Sequence, residues 1–97
     1  MVVRTPSVIA HAWITDGQCI RFGYITGKRL GGAVVRNQAK RRFRELTKGL
    51  IVDQVGHQQA IWVMWRLQPT AASATVAELE RDIARVWEKV LKRTRNK

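Results

Sequence analysis

The sequence has few acidic residues, one cysteine and two prolines, and it contains no long apolar run. The single cysteine, Cys19, cannot form an internal disulfide, which fits a reducing cytoplasm. The longest apolar run, Ala60–Trp65, is far shorter than the roughly 20 residues that span a bilayer. The start of the chain also lacks the long apolar region and the cleavage site of a signal peptide. We therefore expect a cytoplasmic protein that does not cross a membrane.

Residues that could carry catalysis or bind a metal are also few. His11, Cys19 and His57 are scattered along the chain without the spacing of metal ligands. Cys19 could form a nucleophile pair with His11 across a hairpin, although a lone cysteine beside a turn is usually a small apolar residue. Four of the seven acidic residues fall in the last predicted helix, and no acid–base pair stands out. We expect no catalytic residue and no metal site on this chain.

The seven acidic residues stand against eighteen lysines and arginines, which gives a net charge of +11. Such a surplus of cations favours a polyanionic partner, and nucleic acid fits it better than a membrane surface. A hydrophobic fraction of 45% and four tryptophans indicate a packed core rather than a disordered basic tail. With 97 residues and no linker, we expect a single RNA- or DNA-binding domain over residues 1–97.

The cations concentrate between Lys28 and Lys48, a stretch with eight lysines or arginines and one acid, Glu45. Its periodicity predicts a helix that ends near Gly49, with Lys48 in the last turn. The apolar stripe predicted to pack on the core consists of Val35, Ala39, Phe43, Leu46 and Leu50. The opposite side, the basic face, consists of Arg36, Asn37, Lys40, Arg41, Arg44 and Lys48. Like charges four residues apart destabilise a lone helix by roughly a few tenths of a kcal/mol each, so a bound polyanion explains this face better.

Three further segments predict a small sheet. Thr5–Thr15 and Ile20–Thr26 have the pattern of antiparallel strands joined by a short hairpin turn at Asp16–Cys19. Gln59–Leu67 is apolar on both faces, which predicts a central strand and assigns its tryptophans, Trp62 and Trp65, to the core.

Two connections and a second helix complete the pattern. Ile51–Gln58 is predicted to be a polar connection, and Gln68–Ser73 is predicted to be a loop. Thr75 and Glu78 have the spacing of a capping box. The apolar residues of the helix that follows are Val76, Leu79, Ile83, Val86, Trp87, Val90 and Leu91. The predicted fold class is α+β, in the order β-β-α-β-α, with helices packed on one small sheet.

The first predicted strand separates two sets of side chains. One face carries the small residues Val8, Ala10 and Ala12, which suit close packing of a helix. The other face carries Ile9, His11 and Trp13. Trp13 beside His11 could be a stacking platform for unpaired bases.

The stretch Phe22–Glu45 resembles the signature of the bacterial ribonuclease P protein component. In that signature a strand ends in Ser/Thr-Lys-Lys, a Gly-x-Ala-Val turn follows, and a helix carries Arg-Asn-Arg-x-Lys-Arg-x-x-Arg-Glu. The corresponding residues here are Gly31-Gly32-Ala33-Val34 and Arg36-Asn37-Gln38-Ala39-Lys40-Arg41, without a gap. The resemblance continues less specifically through Arg66, Pro69 and the final helix, and so covers nearly the whole chain.

The resemblance implies a fold like the second domain of ribosomal protein S5, with a left-handed β-α-β crossover that carries the basic helix. It implies the protein subunit of an endoribonuclease that removes the 5′ leader from precursor tRNA. The implied partners are ribonuclease P RNA and precursor tRNA, and the RNA would hold the catalytic Mg²⁺ ions and perform the hydrolysis. The implied RNA-binding residues are Lys28, Arg29, Arg36, Asn37, Gln38, Lys40, Arg41, Arg44 and Lys48. The implied leader contacts are Ile9, His11 and Trp13.

Two departures from the family pattern matter. Gln38 stands where the third member of the motif is usually Arg, which removes one charge but leaves a side chain that can hydrogen-bond. The family normally has an N-terminal helix with aromatic residues, whereas Met1 here lies just ahead of the first strand. A truncated chain, a start site placed too late, or a member without this helix would each explain the difference. The leader cleft would then lose one wall, and an uncovered sheet face would favour aggregation or dimerisation, so the oligomeric state stays open.

Two alternative functions stay open at this point. The first is a non-catalytic basic nucleic-acid-binding module, either ribosome-associated or DNA-binding, which competition between structured RNA and duplex DNA would distinguish. The second is a protein of anionic membrane surfaces. The narrow aliphatic stripe of the basic helix, with Phe43 as its one aromatic residue, disfavours that second function.

The positive charge of the basic face predicts a measurable salt dependence of RNA binding. If the protein neutralises about five RNA phosphates, log K should fall against log [salt] with a slope of roughly −3.5 to −4.5. Titrations of ribonuclease P RNA at several salt concentrations measure this slope. A nearly flat dependence would contradict the assignment of the basic face to RNA binding.

Overall fold

The computed structural model describes residues 1–17, 19–52 and 59–95. One sheet is formed by the strands β1 (Val2–Arg4), β2 (Val8–Asp16), β3 (Ile20–Thr26) and β4 (Gln59–Leu67). The two helices are α1 (Ala33–Val52) and α2 (Val76–Arg95), and the 3-10 turns Lys28–Leu30 and Pro69–Ala72 lie just ahead of them. Both helices pack on the same face of the sheet. The predicted α+β class is confirmed, but the predicted order β-β-α-β-α is wrong because it lacks β1.

The order of the strands in the sheet is β1-β2-β4-β3. The predicted hairpin between β2 and β3 is therefore wrong, because β4 lies between them. β4 is antiparallel to β2 along its whole length and parallel to β3, so its apolar residues gain a partner strand on both sides. The prediction of a central strand at Gln59–Leu67 is confirmed. Because β4 separates β2 from β3, no hairpin brings His11 and Cys19 together.

The first predicted strand begins too early, at Thr5 instead of Val8. Residues 5–7 form a turn in which the Thr5 amide donates to the Val8 carbonyl (2.9 Å) and the Val8 amide donates to the Thr5 hydroxyl (3.1 Å). Pro6 has no N–H for a strand ladder, which also favours a turn here. The turn reverses the chain so that β1 pairs antiparallel with β2.

The segment β3–α1–β4 connects two neighbouring parallel strands, and the hand of this crossover stays a prediction. Gly31 has a φ of +136°, and a Cβ atom there would lie 3.0 Å from Val35, so the entry to α1 requires glycine. The helix continues to Val52, so the predicted end near Gly49 is wrong and Lys48 does not lie in the last turn. Leu46 and Leu50 pack against the core on either side of Gly49, which offsets the helix-breaking tendency of that glycine. The other part of the predicted connection, residues 53–58 with His57, lies outside the described residues.

α2 begins with the predicted capping box. The Glu78 amide donates to the Thr75 hydroxyl (3.2 Å), and the Thr75 amide donates to the Glu78 carboxylate (3.0 Å). These bonds lower the pKa of the Glu78 carboxyl. The predicted apolar stripe of α2 is buried from Leu79 to Val90 and partly buried at Leu91, but Val76 at its start is half exposed. The predicted loop at Gln68–Ser73 contains the 3-10 turn Pro69–Ala72.

A buried polar contact fastens the β1–β2 turn to α2. The Ser7 hydroxyl and amide both donate to the Asp82 carboxylate, at 2.6 and 3.1 Å, and both residues are buried. The carboxylate would otherwise be a buried charge with too few hydrogen-bond donors.

We predict that Ser7→Ala lowers the free energy of unfolding by about 1–3 kcal/mol, because it removes one donor from a buried carboxylate. Urea denaturation measures this change. The matched control is Ser73→Ala, since the exposed Ser73 hydroxyl makes only a local bond to Thr70. Equal stability of the two variants would contradict the structural role of the Ser7–Asp82 contact.

Candidate nucleic-acid interface

The basic face lies on α1, as predicted, but its six residues are not equally accessible. Asn37, Arg41, Arg44 and Lys48 are exposed, whereas Arg36 and Lys40 are half buried. Within the described residues the one ion pair is Glu88–Lys92 on α2 (3.8 Å), so the α1 cations have no carboxylate partner there. The face therefore presents positive charge that no acidic side chain of the described chain neutralises.

The half-burial of Arg36 and Lys40 follows from the way in which α1 sits on the sheet. Phe43 is fully buried, and Thr47, one turn later, is buried as well. By contrast, Val35 is 38% exposed, so its assignment to the core-facing stripe is wrong. At about 100° per residue, the buried sector is turned by about 40° from the predicted stripe. The turn brings Arg36 and Lys40 to the border between the core and the solvent.

Arg44 is held by an aromatic ring at the junction of α1 and β3. Its guanidinium carbon lies over the Tyr24 ring, 5.5 Å from the ring centroid. The Tyr24 hydroxyl is hydrogen-bonded to Thr47, whose own hydroxyl donates to the Phe43 carbonyl (2.9 Å). Burial raises the pKa of the Tyr24 phenol, while the bond to Thr47 and the charge of Arg44 lower it by less. The phenol is therefore protonated at neutral pH.

A second group of cations lies where β3 and β4 end. Lys28 and Arg29, in the 3-10 turn ahead of α1, face Arg66 across a groove of about 290 Å³. Gln68 and Pro69 line the same groove. Lys28, Arg29 and Arg66 are all exposed. The family resemblance implies that Lys28 and Arg29 bind RNA, and the structure adds Arg66 as their neighbour, which sequence patterns did not identify.

Gln38 is exposed but lies away from the centre of the basic face. It lines a shallow depression with Arg42 and Ala72, between α1 and the second 3-10 turn. The Arg42 guanidinium points the same way and donates to the Ala74 carbonyl (3.4 Å). Position 38, where the family pattern usually has an arginine, therefore lies on the flank of α1 that faces the α2 side of the molecule.

The second surface is the face of the sheet that the helices leave uncovered, which we call the open face. Ile9, His11 and Trp13 all project from it, while Val8, Ala10 and Ala12 are buried beneath the helices, as predicted. Trp13 is 55% exposed, and its ring stacks on His11 with centroids 6.5 Å apart. Three exposed arginines, Arg4, Arg21 and Arg66, belong to the same face.

Trp62 was assigned to the core, and this assignment is wrong. Trp62 lies directly opposite Trp13 in the β2–β4 register and is 48% exposed on the open face. Arg21 on β3 is its neighbour on the other side, with the guanidinium carbon 5.5 Å from the Trp62 ring centroid. The two tryptophans and Arg21 form one row across three strands and border a depression of about 350 Å³.

Met64 and Gly23 form the next row of the open face. A Cβ atom at Gly23 would lie 2.8 Å from the Met64 terminal methyl group, so the methionine side chain lies across the glycine. This arrangement lowers the surface beside the tryptophan row and makes the depression. Trp62 and Trp65 are three residues apart in β4, so strand alternation is the sequence signal that only one of the two can face the core.

Potential metal ligands do not converge on either surface. Among the described residues, no group of three His, Cys, Asp or Glu side chains is close enough to hold a metal ion. In the same part of the chain, no helix is long and apolar enough to cross a membrane. Cys19 is exposed at the start of β3.

The helix α1 presents a cationic face, and the sheet presents an open face with aromatic and arginine side chains. These two surfaces define a small α+β protein suited to a polyanionic partner. The chain belongs to the ribonuclease P protein family, since the family model described as Ribonuclease P matches residues 2–91. The predicted family resemblance is thus confirmed.

Individual relatives and a solved structure agree with this family. The ribonuclease P protein component of Beutenbergia cavernae is 42% identical over 77 residues, which cover 78% of this chain and 62% of that protein. The component of a Nocardioides species is 41% identical over 82 residues, covering 81% of this chain and 68% of that protein. This chain therefore spans about two thirds of the length of these curated relatives. The structure of Staphylococcus aureus RNase P protein superposes with a TM-score of 0.69 and 22% identity, over 93% of this chain and 80% of that one, which shows a shared fold.

The two tryptophans of β4 give a testable difference. We predict that Trp65→Ala lowers the free energy of unfolding by about 3–5 kcal/mol, because Trp65 is fully buried. Trp62→Ala should cost about 1 kcal/mol or less, the size of a cross-strand pair contribution. Urea denaturation of both variants measures the difference, and equal losses would contradict the placement of Trp62 on the open face.

Proposed function

We propose that this chain is the protein subunit of ribonuclease P, a cytoplasmic ribonucleoprotein that removes the 5′ leader from precursor tRNA. The observation that carries the proposal is the basic face of α1, which has no carboxylate partner among the described residues, bears the family motif and projects from a helix docked by its apolar side. The relatives that bear the name ribonuclease P protein component support the same function.

In this proposal the basic face binds ribonuclease P RNA. Arg41, Arg44 and Lys48 are exposed and can reach phosphates, and Asn37 among them can bond to a 2′-hydroxyl, a base edge or a phosphate. Arg36 and Lys40 lie at the edge of the core and contribute charge from the base of the same face. Lys28 and Arg29 extend the contact beyond the start of α1, and Gln38 reaches RNA only on the flank of the helix.

The open face binds the 5′ leader of precursor tRNA. A leader is single-stranded, so its bases are free to stack on aromatic rings. Trp13, beside His11 and Ile9, and Trp62 offer two such rings side by side across β2 and β4. Arg21 and Arg66 on the same face can contact the leader phosphates. The groove of Lys28, Arg29 and Arg66 then connects the leader with the RNA bound at α1.

Mg²⁺ belongs to the RNA in this proposal, because the donor set of the described chain does not fit such a site. Mg²⁺ prefers carboxylate and other oxygen ligands, whereas the side chains named on the two proposed surfaces are cationic, amide, aromatic or apolar. The protein's contribution is charge neutralisation, which lets the phosphates of RNA and substrate approach one another.

Reconstitution tests the proposal. We expect the chain to lower the Mg²⁺ concentration at which cognate ribonuclease P RNA cleaves precursor tRNA. Arg41→Gln should weaken binding of the RNA and make the salt slope shallower by about 1, because it removes one phosphate contact. Its melting temperature should change little, since Arg41 is exposed and has no carboxylate partner in the described chain.

The choice of RNA substrate distinguishes binding at the open face from binding at the basic face. Trp62→Ala should weaken binding of precursor tRNA but not of mature tRNA, because only the precursor carries a leader. The control is Arg81→Gln on the exposed side of α2, which should leave both affinities unchanged. A chain that fails to stimulate cleavage, or that prefers duplex DNA to structured RNA at equal salt, would instead be a general basic nucleic-acid-binding module.

A further inference from the structure

We infer that Tyr24 is a positioning residue for Arg44: its ring holds the guanidinium at the β3–α1 junction with the N–H donors directed toward an RNA phosphate. This inference rests on the proposed function, because it names the part of the protein that prepares one cation of the basic face for binding. Tyr24 is not itself an RNA-contacting residue in this account.

The geometry of the pair sets Arg44 apart from the other exposed cations of α1. Its guanidinium carbon lies 5.5 Å from the centroid of the Tyr24 ring, within the range of a cation–π contact. No such contact with an aromatic ring holds Arg41 or Lys48 in the described part of the chain. Arg44 is exposed, so its outer side is available to a ligand.

Tyr24 can hold Arg44 because the tyrosine is itself fixed. Its ring packs against the core as a partly buried side chain, and its hydroxyl is bonded to the fully buried Thr47. The single Thr47 hydroxyl proton is directed to the Phe43 carbonyl (2.9 Å), so Tyr24 is the donor in its bond to Thr47. Burial raises the pKa of this phenol, which keeps the donor proton in place at neutral pH.

The placement of the Arg44 guanidinium over the Tyr24 ring suits phosphate recognition. A guanidinium carries five N–H donors, so the side of Arg44 turned away from the Tyr24 ring keeps donors for a ligand. Those donors match the oxygens of a phosphate in a bidentate contact. A side chain that is already held in place also loses less conformational entropy on binding than a free one. Arg44 should therefore contribute more to affinity with Tyr24 beneath it than without it.

A double-mutant cycle on binding of cognate ribonuclease P RNA tests the inference. Tyr24→Leu should weaken binding about threefold, the size of an exposed cation–π contact of roughly 0.5–1 kcal/mol. Tyr24→Phe keeps the ring and should stay within about twofold of the wild-type affinity. In an Arg44→Gln background, Tyr24→Leu should have no further effect. In an Arg41→Gln background, the matched control, the whole effect should remain.

A second measurement does not depend on how well the Tyr24→Leu variant folds. Tyr24 is the single tyrosine of the sequence, so spectrophotometric titration reports on it alone. The charge of Arg44 lowers the Tyr24 pKa, and Arg44→Gln should therefore raise it. Arg41→Gln should leave the Tyr24 pKa unchanged.

The outcomes separate this inference from the proposed function. If Tyr24→Leu weakens RNA binding equally with and without Arg44, the role of Tyr24 is structural and the inference fails. If Arg41→Gln weakens RNA binding but Arg44→Gln does not, the inference fails while the proposed function stands. If neither arginine affects RNA binding, the proposed function itself fails. An unchanged Tyr24 pKa in Arg44→Gln would contradict the close placement of Arg44 over the Tyr24 ring.

Discussion

The contact between Phe43 and Trp65 is the one on which the rest of the structure depends. Trp65 is fully buried in β4, and Phe43 reaches it from α1 with ring centroids 6.3 Å apart. Phe22 on β3 meets Trp65 edge-on at 5.5 Å and meets Trp87 of α2 at the same distance. One aromatic cluster thus joins three elements of the fold to the central strand. Because this cluster fixes the rotation of α1, it also decides which cations of that helix face outward.

The elements with a strong local pattern could be predicted from the sequence. Both amphipathic helices, the capping box at Thr75 and the central position of β4 follow from the spacing of neighbouring residues. The neighbours of β4 could not be predicted, since strand pairing joins residues far apart in the chain. The short connection after β2 favoured a hairpin with β3. The apolar character of β4, which needs partners on both sides, prevailed over that local preference.

The candidate site was predictable to a similar extent and for related reasons. Helical periodicity placed the basic face on one side of α1, but a sequence does not fix helix rotation to better than one residue. Arg36 and Lys40 therefore lie closer to the core than the pattern indicated. Trp62 and Trp65 are three residues apart in a strand, so they must face opposite sides of the sheet. An evenly apolar strand does not reveal which side the helices cover, and the exposed tryptophan was assigned to the core.

The middle place of β4 has a consequence for the order in which the chain acquires its structure. During synthesis β2 and β3 leave the ribosome well before β4, yet neither pairs with the other in the finished sheet. β2 can pair with β1 at once, but β3 must wait until the chain has been made through Leu67, and α1 lacks its aromatic partner Trp65 for the same interval. Completion of the sheet is thus delayed until late in translation, and a nascent chain that stops before β4 has only the β1–β2 pair to organise its cationic and apolar segments.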